Sequence, residues 1–174
     1  MKIAIIGAGA AGIIAAITAK RLNKNLQIDL FDANKGIGKK ILASGNGRCN
    51  ISNNQITSKN YLGENPDFTS FALKEFDFKA FEKFCKSIGL LLDIKPSGKV
   101  YPLSNEAKSV TNLLELALQE LGVNIYLESM ITDIEKIDDK FNITTKENEY
   151  KAYDKVLISN GLGAAPQLNA NESG

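Results

Sequence analysis

Residues 7–12 read Gly-Ala-Gly-Ala-Ala-Gly, and their neighbours give the pattern its meaning. Residues 2–6 form an apolar run ending in glycine, which reads as a strand buried on both faces of a parallel sheet. Residues 10–22 follow with Ala- and Ile-rich helical composition and no breaker after Gly12. Residues 26–31 form a second strand-like run that stops at Asp32. Together these make a βαβ unit of about 30 residues. In that frame Gly7 allows the tight turn, Gly9 lets backbone N–H groups approach a pyrophosphate, and Gly12 lets helix and strand pack closely. The helix N-terminus adds unsatisfied donors and a positive dipole end. Asp32 lies 20 residues after Gly12, where a carboxylate can accept hydrogen bonds from ribose hydroxyls and disfavours a 2′-phosphate. These features suit an adenine dinucleotide and leave FAD and NAD both open.

Composition narrows the chemistry further. The chain has 174 residues, 44% hydrophobic and 24% charged, which fits one ordinary globular domain, or one domain plus a small appendage, rather than a disordered chain. Lys+Arg is 21 against 20 for Asp+Glu, so no electrostatic footprint for duplex nucleic acid is expected. There is no His, which removes His-based acid–base catalysis and His metal sites. Cys49 and Cys85 are far apart and form neither a C-x-x-C redox pair nor a zinc knuckle. Such usage points to a reducing, cytoplasmic compartment. The apolar start imitates a signal peptide, but Gly7, Gly9 and Gly12 interrupt it. Nothing else approaches the roughly 20 apolar residues of a membrane span.

Beyond Asp32, residues 34–54 are rich in Gly, Lys, Asn and Ser, with a short helical turn expected over residues 39–43. Phe71, Phe76, Phe78, Phe81 and Phe84 recur at broadly helical spacing, predicting one or two amphipathic helices over 67–87 with the aromatics in the core. Residues 90–94 and 99–101 flank the turn Pro96-Ser97-Gly98 as paired strands. Residues 105–121 are helical, with Ser104 or Asn105 as N-cap and Gly122 as stop. A strand over 123–127 follows, then an antiparallel meander over 130–137, 141–145 and 149–152, then a last strand over 156–159. Asp133, Glu135, Asp138 and Asp139 read as a solvated face and turn, not a metal site.

Two further segments carry candidate chemistry. Residues 36–50 read GIGKKILASGNGRCN, directly after the ribose-side strand. Lys39, Lys40 and Arg48 can oppose phosphate or a reduced flavin, and Gly45 and Gly47 permit backbone contact with a ring. A solvated basic loop is the plain alternative. Residues 156–161, VLISNG, end a strand in Asn160-Gly161, placed to meet a nucleotide at the sheet's carboxyl end. Cys49 has no partner cysteine at suitable spacing for a disulfide relay, so it reads as a packing residue, and Cys85 as core.

With GAGAAG at 7–12, GKKILASGNGRCNISN at 38–53, GKVYPLSNEAKSV at 98–110 and LISNGLGAAPQL at 157–168, the chain resembles microbial NAD(P)/FAD-dependent oxidoreductases of the BaiN/RdsA type. The resemblance implies an α/β, Rossmann-like FAD-binding domain of the glutathione-reductase type. Its parallel sheet has strand order 3-2-1-4 and a three-stranded antiparallel meander. It implies cofactor contacts from Gly7, Gly9, Ala10, Ala11 and Gly12 at the pyrophosphate, and from Asp32 and Ala33 at the ribose. Gly38, Lys39, Lys40, Ser44, Gly45, Gly47, Arg48, Cys49 and Asn50 would line the path to the flavin, Met130 and Ile131 would meet the adenine, and Asn160 and Gly161 would close over the nucleotide. Where such proteins more often carry a small residue or Thr, this chain has Asn160, at a contact made mainly by backbone.

The family's members are roughly twice this length, so the resemblance implies that residues 1–174 are the N-terminal part of a FAD-binding domain, without the second domain or the return of the chain. The implied activity is reduction of a small organic acceptor such as a conjugated carbonyl compound, using NAD(P)H through FAD. Tyr101 and Ser44 are the candidate proton donors. A non-catalytic dinucleotide-binding module and a flavoprotein of tRNA modification are the alternatives. The expected partner is a small-molecule substrate, with neither nucleic acid nor membrane.

Overall fold

The computed structural model describes residues 1–65 and 67–161. In chain order its elements begin with β1 (Lys2–Ile6), α1 (Ala10–Leu22), β2 (Gln27–Phe31), α2 (Lys39–Ala43), β3 (Ser52–Asn53), α3 (Phe68–Glu75), α4 (Phe78–Ser87), β4 (Leu92–Ile94) and β5 (Lys99–Pro102). They continue with α5 (Ala107–Glu120), β6 (Asn124–Tyr126), β7 (Ile131–Ile137), β8 (Lys140–Thr145), β9 (Glu149–Tyr153) and β10 (Lys155–Ile158). The described residues divide into two compact units, one within residues 1–41 and 114–161, the other within residues 42–113.

The first unit is built on a parallel sheet of order β10-β1-β2-β6, which is the expected 3-2-1-4 order when its strands are numbered among themselves. Ala4 opposes Val156 on one side and Asp29 on the other, so β1 is flanked on both edges and must be apolar. Ile13, Ala16, Ile17 and Lys20 form the buried stripe of α1, at the helical spacing of three and four. Each buried Ile there contributes roughly 1.5–3 kcal/mol. Lys20 is buried with its ammonium donating to the carbonyls of Lys24 and Leu26 at 3.1 and 3.0 Å, which offsets its desolvation and closes the turn into β2.

The meander β7-β8-β9 is antiparallel, as expected, and its Ile143 and Tyr153 pack with Ala4 and Phe31 of the sheet. Phe31 stacks on Tyr126 at 4.9 Å and meets Tyr150 edge-on at 4.9 Å. Beneath this aromatic layer lies a buried carboxylate. Asp29 accepts hydrogen bonds from the Tyr153 hydroxyl at 2.6 Å and the Asn124 amide at 2.7 Å, and Lys2 stands 3.7 Å away. Burial, followed by the bond to Asp29, pushes the Tyr153 phenol well above its ordinary range.

The second unit holds α3, α4 and a small antiparallel sheet of order β3-β5-β4. The β4–β5 hairpin forms as read from the sequence, and β3 adds a third strand that residues 52–53 did not announce. The expectation of an aromatic core stripe is corrected. Phe71 and Phe76 are exposed, at 74% and 51%, and Phe78, Phe81 and Phe84 are only half-buried. The stretch forms two helices, with Asp77 capping α4 by accepting the Ala80 N–H at 2.8 Å, and the face that α3 buries carries only Thr69 rather than its aromatics. Cys85 is buried as expected, and desolvation pushes its thiol up to about 12. The α5 N-terminus also differs from expectation. Asn105 adopts a left-handed φ of 56° and the helix begins at Ala107, while the Ser104 hydroxyl accepts the Glu106 N–H at 3.3 Å. Among the described residues, no helix is long and apolar enough to cross a membrane.

Candidate functional site

A cavity of about 580 Å³ opens at the carboxyl ends of β1, β2 and β10 in the first unit. Open parallel sheets bind ligands at this edge. The glycine turn forms its floor. Gly7 has a φ of +102° and donates its N–H to Phe31 at 2.8 Å. A Cβ on Gly7 would lie 2.7 Å from the Ser159–Asn160 backbone, and one on Gly12 would lie 2.0 Å from the Gly7 carbonyl oxygen. These two glycines exist because neighbouring backbone occupies the space of a side chain. Gly9 is different. Its φ is −80°, which any residue adopts, and a Cβ there would meet nothing within 4 Å. Its missing side chain keeps the cavity open.

No side chain caps α1, and its first turn carries no acidic residue. Its first N–H groups therefore have no helical partner, and Gly9, Ala10 and Ala11 line the cavity beside them. The arrangement favours an anion. Ser159 secures the turn from behind, donating to the carbonyls of Ile6 and Gly7 at 2.9 and 3.0 Å.

Asp32 lines the cavity beside the helix terminus. One carboxylate oxygen accepts the Ala8 N–H at 2.7 Å, and the other accepts the Asn34 N–H and side-chain amide, both at 2.8 Å. Asp32 thus organises the loop as well as facing the cavity. Lys39 and Lys40 reach the same cavity from α2. The Lys39 ammonium donates to Asn34 at 3.1 Å, and that of Lys40 lies 3.1 Å from where a Gly161 Cβ would be.

Of the residues singled out in the sequence, Gly7, Gly9, Ala10, Ala11, Asp32, Ala33, Lys39, Lys40, Met130, Ile131, Asn160 and Gly161 line this one cavity. Gly12 and Gly38 support it from outside its surface, Gly38 by donating to the Ala8 carbonyl at 2.7 Å. Ser44, Gly45, Gly47, Arg48, Cys49 and Asn50 belong to the second unit and are not among the lining residues. There they form a contorted loop. Gly45, Asn46, Gly47 and Cys49 all have positive φ, of 57°, 55°, 78° and 60°. Left-handed backbone at the non-glycine positions is a conformational cost that functional loops often carry. Cys49 is buried, its N–H donating to Ser44 at 3.0 Å, and the exposed Arg48 lies over the Tyr101 ring at 5.6 Å. The sequence reading missed Asn34, Ser129, Asp133 and Ser159 in the cavity wall. Only the position of Ser159, one residue before Asn160, was a signal that could have found it.

Fold and cavity define a Rossmann-type domain with an anion-receptive glycine turn. The chain matches the family described as HI0933-like protein Rossmann domain over residues 1–174 and belongs to it. A 3-dehydro-bile acid delta(4,6)-reductase of Clostridium scindens is 37% identical over 99% of this chain and 42% of its own length. A ribosomal RNA dihydrouridine synthase of Haemophilus influenzae is 30% identical over 98% of this chain and 42% of its own. The chain therefore spans 42% of the length of these curated relatives. Among solved structures, Thermovibrio ammonificans THI4 matches with a TM-score of 0.60 at 12% identity, over 94% of this chain and 58% of that one. A ferredoxin-flavin thioredoxin reductase of Clostridium acetobutylicum matches with 0.53 at 20% identity, over 94% and 38%. These two share the fold.

Proposed function

We propose that this chain is the FAD-binding portion of a flavin-dependent oxidoreductase that passes hydride from NAD(P)H to a small organic acceptor. The observation that supports this most is the pairing of an uncapped α1 terminus, left open by Gly9, with the Asp32 carboxylate in one cavity. In this reading the backbone of residues 7–12 receives the pyrophosphate and Asp32 the adenosine ribose. Met130 and Ile131 border the adenine, and Asn160 and Gly161 close over the nucleotide. Ala33 and Lys40 complete the wall, and Gly38 and Lys39 hold its loops. Ser44, Gly45, Gly47, Arg48, Cys49 and Asn50 are assigned to the flavin side on family resemblance. When bound, FAD supplies the hydride chemistry.

The relatives' names bear on the acceptor. A 3-oxo-Δ4,6 bile acid and a uridine ring each hold a carbon–carbon double bond conjugated to a carbonyl. The shared chemistry supports an acceptor of that kind. The presence of a ribosomal RNA enzyme among the relatives supports a second reading, in which the conjugated ring is a nucleobase in RNA. The near-neutral charge of this chain favours the small-molecule reading.

The test is the visible absorption spectrum of the purified chain before and after FAD addition and desalting. A retained flavin band is expected. A cooperatively melting protein that stays colourless would overturn the cofactor assignment for this chain. With a band present, NADH or NADPH consumption driven by a conjugated enone, compared with consumption driven by ribosomal RNA, separates the two acceptor readings.

A further inference from the structure

Asn34 lies two residues beyond Asp32, and all its polar groups are engaged. Its N–H and its side-chain Nδ2 both donate to Asp32 Oδ1 at 2.8 Å. Its Oδ1 accepts from Lys39 Nζ at 3.1 Å, and its carbonyl accepts the Glu128 N–H at 3.0 Å. Its side chain therefore joins the end of β2 to the start of α2, and its backbone carbonyl ties the same turn to the loop entering β7. No motif in the sequence marks it.

We propose that Asn34 is a positioning residue of the dinucleotide site, holding Asp32 against the glycine turn and Lys39 at the cavity wall. The inference rests on the FAD reading above. Its physical basis is the Asp32 carboxylate, which has two rotatable bonds. Two donors from Asn34 on Oδ1 fix its orientation, and that orientation presents Oδ2 to the Ala8 N–H at 2.7 Å. Ala8 precedes Gly9, so the orientation of Asp32 is coupled to the turn that receives the phosphates. The Asn34 amide is matched to both neighbours, its nitrogen on the carboxylate and its oxygen on the ammonium. The charged groups facing Asn34 are Asp32 and Lys39, with the exposed Lys35–Glu128 pair at 3.9 Å beside them.

The experiment compares the parent chain with Asn34→Ala and Asn34→Asp, reading FAD affinity by flavin fluorescence and Ala8 amide exchange by NMR. Asn34→Ala is expected to weaken FAD by about tenfold, the scale of a lost hydrogen bond to a charged group, and to speed Ala8 exchange in the ligand-free protein. Asn34→Asp sets a carboxylate against Asp32. Its loss of affinity is expected to be larger near neutral pH and to shrink towards about pH 5, where a shared proton restores a donor. Affinity scaled for folded fraction separates this from a purely structural role, in which protonation would recover folding rather than affinity. Affinities within about twofold of the parent, scaled for folded fraction, together with unchanged Ala8 exchange, would overturn the proposal. A parent that binds no FAD would sink the cofactor reading, while Ala8 exchange would still decide whether Asn34 holds the turn.

Discussion

Gly9 and Gly12 are three residues apart and do opposite work. A Cβ at Gly12 would stand 2.0 Å from the Gly7 carbonyl oxygen and 2.6 Å from the Ser159 hydroxyl. Backbone cannot yield there cheaply, so Gly12→Ala should cost about 2–4 kcal/mol through overpacking, read from the denaturant midpoint. At Gly9 the space is open and φ is ordinary, so Gly9→Leu should stay within about 0.5 kcal/mol of the parent and lose FAD retention. If Gly9→Leu kept its flavin, the glycine turn would not be the phosphate site. The tight turn at Gly7 and the close packing at Gly12 were legible in the sequence because strand–turn–helix geometry leaves few solutions. Asn34 was not legible, because its importance comes from side-chain hydrogen bonds to residues 32 and 39 that only the fold brings together.

At the scale of elements, periodicity succeeded where burial is two-sided and failed where it is shallow. Residues 2–31 and the meander were read nearly to their ends, since buried strands and the α1 stripe leave long apolar signatures. The Phe-rich stretch carries a comparable signature, yet Phe68 and Phe71 are 77% and 74% exposed, and α3 buries only Thr69. Pattern reading also passed over the tie between meander and sheet. Tyr153 donates to buried Asp29 across 124 residues of sequence. Removing the hydroxyl in Tyr153→Phe takes one donor from a buried carboxylate, and about 1–3 kcal/mol of stability should go with it. The phenol's pKa is raised in the fold, so its contribution is complete below the unfolded value of about 10 and is lost as pH rises above it. Urea unfolding of parent and Tyr153→Phe should therefore converge above about pH 10. A gap that stayed constant to higher pH would remove the ionisation argument.

At the scale of the whole molecule, the division into two units makes a prediction about where a ligand is felt. All residues lining the cavity belong to the first unit. The residues assigned to the flavin side, from Ser44 to Asn50, belong to the second. ADP carries the adenosine and pyrophosphate of FAD without the flavin. It should therefore load the first unit alone. At about 100 times its Kd, a ligand that binds only the folded form adds about 2.7 kcal/mol of stability. Hydrogen exchange should show ADP slowing the amides of β1, α1 and β2, with those of β4 and β5 unchanged. Equal slowing in both units would mean that they open as one cooperative body and would count against a nucleotide effect confined to the first unit. Slowing confined to β4 and β5 would move the nucleotide to the second unit and remove the glycine turn from the site altogether.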